Sequence, residues 1–153
     1  MTTMETTVTT AQVYQLYIKA TPEQVWDAIT KPEFVKQYFH GALVESTYEV
    51  GSKVRSWSPD HETLWTDNTV LEFDPPRRYV HSWISLYDPE TAKEEQSRVS
   101  WEIDATDAGY CKLTVVHDKL EGSPKTAANV GGGWMFILSG LKTLCETGKP
   151  LVA

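Results

Sequence analysis

The chain has 153 residues, 41% hydrophobic and 23% charged, with a net charge of −7. That is the size of one domain of about 100–200 residues, and a core that large needs no disulfide or metal to hold it. The negative field disfavours nucleic acid and anionic lipid surfaces, no apolar run is long enough to span a bilayer, and Cys111 and Cys145 are too few for a disulfide framework or a zinc site.

Met1 to Thr10 is Thr-rich and carries Glu5 where a signal peptide would carry Lys or Arg. Residues 1–11 are expected to be a disordered tail and 12–150 the folded domain, in a cytoplasmic protein with reduced thiols. Val13 to Ile18 is β-branched and aromatic, hence a strand. Thr21, Pro22 and Gln24 make a capping box with Pro at the first helical position, so a helix is expected over Pro22 to Thr30. Lys31-Pro32 breaks it, and a second short helix is expected from Pro32 to Tyr38.

The pattern then turns to β. Strands are expected at Leu43 to Tyr48, Lys53 to Ser58, Trp65 to Phe73, Tyr79 to Leu86, Val99 to Ala105 and Cys111 to His117, separated by Pro, Gly and Asp turn signals. Ser123-Pro124 opens a long helix. Its apolar residues Val130, Trp134, Ile137, Leu138, Leu141 and Leu144 recur at three and four, and it ends near Thr147-Gly148. Gly131, Gly132 and Gly133 cost that helix about 3 kcal/mol relative to alanines. They allow a close approach, room for a ligand or a hinged gate on the one hand, and a broken helix start near Gly133 on the other.

Seven antiparallel strands must hide one apolar face, and only the last helix is long enough to cover it. The fold class expected is α+β: a helix-grip, with a seven-stranded curved sheet around a long C-terminal helix and two short helices between strands one and two.

A family resemblance rests on three segments: 20–30 (ATPEQVWDAIT), 70–80 (VLEFDPPRRYV), and 132–134 with 138–148 (GGW and LSGLKTLCETG). With them the chain resembles the START-like (SRPBCC, Bet v-like) superfamily, and within it the homologues of the activator of the heat-shock-protein-90 ATPase. The resemblance implies a deep cavity between sheet and C-terminal helix. It also implies an apolar ligand such as a lipid, polyketide or flavonoid-like molecule, with cyclase-type catalysis or a chaperone partner as alternatives.

Strand alternation puts Tyr79, His81 and Trp83 on one face, and Trp65, Asp67, Thr69, Leu71 and Phe73 on another. It also aligns Val99, Trp101 and Ile103, and Cys111, Leu113, Val115 and His117. The expected ligand-lining set is Trp65, Asp67, Phe73, Tyr79, His81, Trp83, Trp101, Leu113, Val115, Trp134, Leu138 and Leu141; the alternative is that the aromatics pack solid. His81 or Asp67 is the proton-transfer group if the cavity is catalytic. Glu72 and Glu45 are further carboxylates, Arg55 a conceivable anion anchor, and His40 and His61 solvated loop residues. No catalytic set is read from the sequence. With no nucleophile elbow, phosphate loop or metal-binding His pair, neither cofactor nor metal is expected. Six Trp, seven Tyr and four Phe suit an aromatic-walled cavity. A monomer or homodimer is expected.

Overall fold

The computed structural model describes residues 11–152. The expected tail at 1–11 lies outside them except for Ala11, which already belongs to the first strand. The strands are β1 (Ala11–Ile18), β2 (Leu43–Glu45), β3 (Lys53–Trp57), β4 (Leu64–Asp74), β5 (Arg78–Trp83), β6 (Ser97–Ala105) and β7 (Cys111–Asp118); the helices are α1 (Pro22–Thr30), α2 (Pro32–Val35) and α3 (Pro124–Thr147). The strands form one antiparallel sheet in the order β1-β7-β6-β5-β4-β3-β2, which is the helix-grip architecture.

Local chemistry sets the ends of these elements. Thr21 Oγ1 accepts from Gln24 N–H, and Gln24 returns its side-chain oxygen to Thr21 N–H at 2.9 Å, closing the capping box of α1. α2 is shorter than expected: beyond Val35 the chain tightens into turns, with Gln37 N–H donating to Phe34 O and Tyr38 N–H to Val35 O. β2 stops early because Ser46 turns its hydroxyl to Lys53 O and Tyr48 takes φ 61°. β5 ends at Trp83, since the next amide, Ile84 N–H, donates to the Asn68 side chain instead of to a strand.

α3 is a continuous helix through all three glycines, so the broken-start alternative does not hold. Its nominal cap, Ser123, makes no capping bond. Glu94 caps it from the β5–β6 connection, accepting from Lys125 N–H and Thr126 N–H at 2.8 Å each. The helix buries Val130, Trp134, Ile137, Leu138, Leu141 and Leu144 against α1 and the inward residues of β6 and β7. Two β-bulges, at Ser56/Trp57 and Val70/Glu72, bend the β3–β4–β5 side of the sheet.

Candidate functional site

The interior is crowded with rings. Trp134 meets Trp101 edge-on at 5.4 Å between centroids, Trp83 at 5.9 Å, His117 at 6.1 Å and Phe39 at 6.2 Å. The polar edges of these rings are matched in pairs. Trp134 Nε1–H donates to His117 Nδ1 at 3.0 Å, and His117 Nε2 bonds Ser97 Oγ at 2.7 Å. Trp101 Nε1–H donates to His81 Nε2 at 3.1 Å, and His81 Nδ1–H donates to the Ser82 carbonyl at 2.8 Å. Each histidine is thereby held in one neutral tautomer as an acceptor for an indole. Burial pushes both imidazoles down from 6.5 to about 4, with His81 itself lowering His117 further.

The rings do not fill the whole interior. A pocket of about 380 Å³ opens between the first half of α3, the segment after α2 and the start of β4. Phe39, Trp65, Trp83 and Trp134 wall it; Val130, Gly133 and Ile137 form its helix side; His40, Tyr87 and Asn129 stand at polar positions. No Asp, Glu, Lys or Arg lines it. The size and the apolar walls suit a small-molecule site. Gly132 and Gly133 look onto open space, with nothing within 4 Å of where a Cβ would sit. Close approach to the sheet is therefore not their role; at Gly133 the missing side chain is pocket volume.

A family model described as "Activator of Hsp90 ATPase homolog 1-like protein" matches residues 19–146. The chain belongs to that family. No curated protein matches it. Its fold is similar to that of protein MLL2253 from Mesorhizobium loti, at 20% identity and TM-score 0.72 over 88% of this chain and 95% of that one. It is similar to the Aha1 dimer from Colwellia psychrerythraea, at 17% identity and TM-score 0.71 over 91% and 98%. It is also similar to PFC0360w, an HSP90 activator from Plasmodium falciparum, at 18% identity and TM-score 0.65 over 85% and 92%. At such identities the likeness is one of fold alone.

In this Hsp90-activator-like chain the expected site residues divide into three groups. Trp65, Trp83 and Trp134 line the pocket. Tyr79, His81 and Trp101, again with Trp83, border a smaller space behind it. Leu113, Val115, Leu138 and Leu141 are solid core, at 0–4% exposure, and Phe73 packs against Trp26 and Tyr48 rather than at the pocket.

Asp67 is a correction. The alternation read through β4 fails at the bulge between Val70 and Glu72, which sends Leu71 outward (42% exposed) and reverses the parity. Thr66, Asn68 and Val70 point in; Asp67 sits on the outer side, opposite Arg55, whose Nε lies 3.1 Å from Asp67 Oδ1. Asp67 is no candidate proton-transfer group for the pocket, and Arg55 no ligand anchor. Glu72 is likewise outside, paired with Arg78 at 3.3 Å, and Glu45 lies 3.5 Å from His61. His81 lies inside, but both its nitrogens are occupied.

The pocket also uses residues that pattern reasoning passed over. Phe39, His40 and Ala42 follow α2 in a stretch without periodicity. His40, read as a solvated loop residue, is exposed but stacks on Phe136 at 5.5 Å and forms the rim. Only the glycines signalled from the sequence that this end of α3 differs from the other. Among the described residues no helix is long and apolar enough to cross a membrane, and no cluster of three metal-ligating side chains occurs.

Proposed function

We propose that the protein binds an uncharged, apolar or aromatic small molecule in the pocket at the first half of α3. One observation carries this reading: a space of about 380 Å³, walled by Phe39, Trp65, Trp83 and Trp134, has no charged side chain in its lining. An ionic ligand would be desolvated there with no counter-charge, whereas an apolar one covers exposed aromatic surface. The fixed His–Trp pairs give the back wall rigidity, which lowers the ordering cost of binding.

The test is native mass spectrometry of the protein purified from its own host, backed by tryptophan-fluorescence titration with flavonoids, fatty acids and sterols. A retained small molecule, or saturable quenching abolished by Gly133→Leu, supports the reading. Binding that persists in Gly133→Leu places the ligand elsewhere.

A second reading, contact with a chaperone ATPase, draws on the family's name and on exposed apolar residues at the β1 side of the sheet. Val13 is 60% and Tyr17 59% exposed, and Tyr17 stands edge-on to Tyr110 at 5.5 Å. It is checked by the ATPase rate of an Hsp90 with and without the protein, and with Tyr17→Ser, which should abolish any stimulation.

A further inference from the structure

A smaller space lies behind the pocket. Phe39, Ala42, Ser56, Thr66 and Trp83 border both. Past them a pouch of about 60 Å³ reaches under the sheet, where Asn68, Tyr79 and His81 line it. A cavity needs about 10–15 Å³ to admit a water, so the pouch has room for ordered water or for one polar group at the end of a larger molecule.

Its polar groups are unevenly satisfied. Asn68 and Tyr79 are each 4% exposed. Asn68 Oδ1 accepts from Ile84 N–H at 3.0 Å, which sets the orientation of the amide and leaves its NH2 with no protein acceptor among the described residues. The neighbouring tyrosines are anchored, Tyr38 Oη donating to Ala28 O and Tyr48 Oη to Thr30 O. Tyr79 Oη has no such partner among the described residues, although the ring lies against Tyr48 and His81. Ser56 and Thr66 bond each other at 2.5 Å, which leaves one of the two hydroxyl protons free. His81 contributes nothing further, since both nitrogens are taken. Polar groups in an interior are ordinarily paired; here three donors without a protein acceptor among the described residues border one small space that opens from an apolar pocket.

We infer that the pouch recognises a neutral carbonyl oxygen at the leading end of the ligand, which accepts from Asn68 Nδ2 and Tyr79 Oη while the apolar body fills the outer pocket. This rests on the reading of the outer pocket as a ligand site. A carbonyl fits better than a carboxylate because no Lys or Arg lines either space. It fits better than a second donor because the free groups are themselves donors. Burial holds the Tyr79 phenol well above its usual range, so it stays protonated and able to donate. A site built this way discriminates against a ligand of the same shape that lacks the oxygen, because its own donors are then left unpaired.

The test uses 2-acetylnaphthalene and 2-isopropenylnaphthalene, which share a shape and differ in one oxygen. Each is titrated into the protein and into Tyr79→Phe, which removes a hydroxyl that makes no protein bond and so leaves the fold intact. Affinity is read by tryptophan quenching and calorimetry. The expected result is a ketone preference of about tenfold that falls to about twofold in Tyr79→Phe, through weaker ketone binding alone. Equal affinity for the two probes, or a preference unchanged in Tyr79→Phe, overturns the carbonyl assignment and leaves the outer pocket standing; the pouch is then a water site. Binding of neither probe up to its solubility overturns the outer pocket, and the pouch with it.

Discussion

The two halves of α3 use glycine in opposite ways. In the first half, Gly132 and Gly133 face open space, and at Gly133 the missing side chain is part of a pocket. In the second half, Gly140 is buried with the Tyr38 Cβ only 3.1 Å from where its own Cβ would be, so the missing side chain lets a neighbour press in. Both carry the same cost in helix propensity. Only one end is closed by packing; the other is left open, with Glu94 holding its first turn from outside the helix. A helix that was solid throughout would have no use for three successive glycines where nothing touches two of them.

The largest test of this contrast is Trp134, which stands at the boundary between the halves. Trp134→Ala should destabilise the fold by about 3–5 kcal/mol, read from urea denaturation, because it removes a ring that is 3% exposed and strands the acceptor on His117. A loss under about 1 kcal/mol would mean that the open half extends past this residue.

Acidification acts on the same boundary. His81 and His117 are held neutral with pKa values of about 4 by burial, against 6.5 in the unfolded chain. Their contribution is complete above pH 6.5 and is lost as the pH falls toward 4, because the unfolded chain takes up the protons first. The difference amounts to about 3 kcal/mol for each histidine. Denaturation midpoints measured from pH 7 to pH 4 should fall steeply through that window, and His117→Asn should flatten the slope. A flat profile in the unaltered protein would show that the two imidazoles charge without loss of the fold.

Smaller effects separate the glycines. Gly132→Ala should raise stability by about 1 kcal/mol, the helix-propensity gain, since no atom stands in the way. Gly133→Leu should also raise the melting temperature while it abolishes ligand binding. Gly140→Ala should lower stability by about 1 kcal/mol, because Tyr38 is buried and its hydroxyl is tied to Ala28 O, so it cannot yield. Thermal unfolding of the three variants reads the comparison directly; the same sign at Gly132 and Gly140 would erase it.

Much of the fold was legible because its signals are local. The Thr21–Gln24 box, the Pro after each helix start and the Pro, Gly and Asp turns lie within a few residues of what they control, and every element read from them is present. The seven strands and the covering helix followed from counting apolar faces. The candidate site was legible in part. Trp65, Trp83 and Trp134 stood out as large rings on three different elements, and all three reach the pocket. Asp67 was misplaced because alternation assumes an unbroken register, and the bulge after Val70 depends on how β4 pairs with β5, which no local window contains. Phe39, His40 and Ala42 were missed because they lie in turns with no period to read.

By itself the sequence determined the element order, the antiparallel meander and the covering helix, because these depend on short-range periodicity and on turn and cap chemistry; the family came from the resemblance of whole segments. The tertiary structure alone decided how the aromatic surplus is divided. Rings from β5, β6, β7 and α3 close on one another through two His–Trp bonds and fill one end of the interior. At the other end, the turns after α2 and the bare glycine face of α3 stay apart and leave a pocket. Composition supplies the rings, but whether they meet or leave a gap is set by distances between elements far apart in the chain.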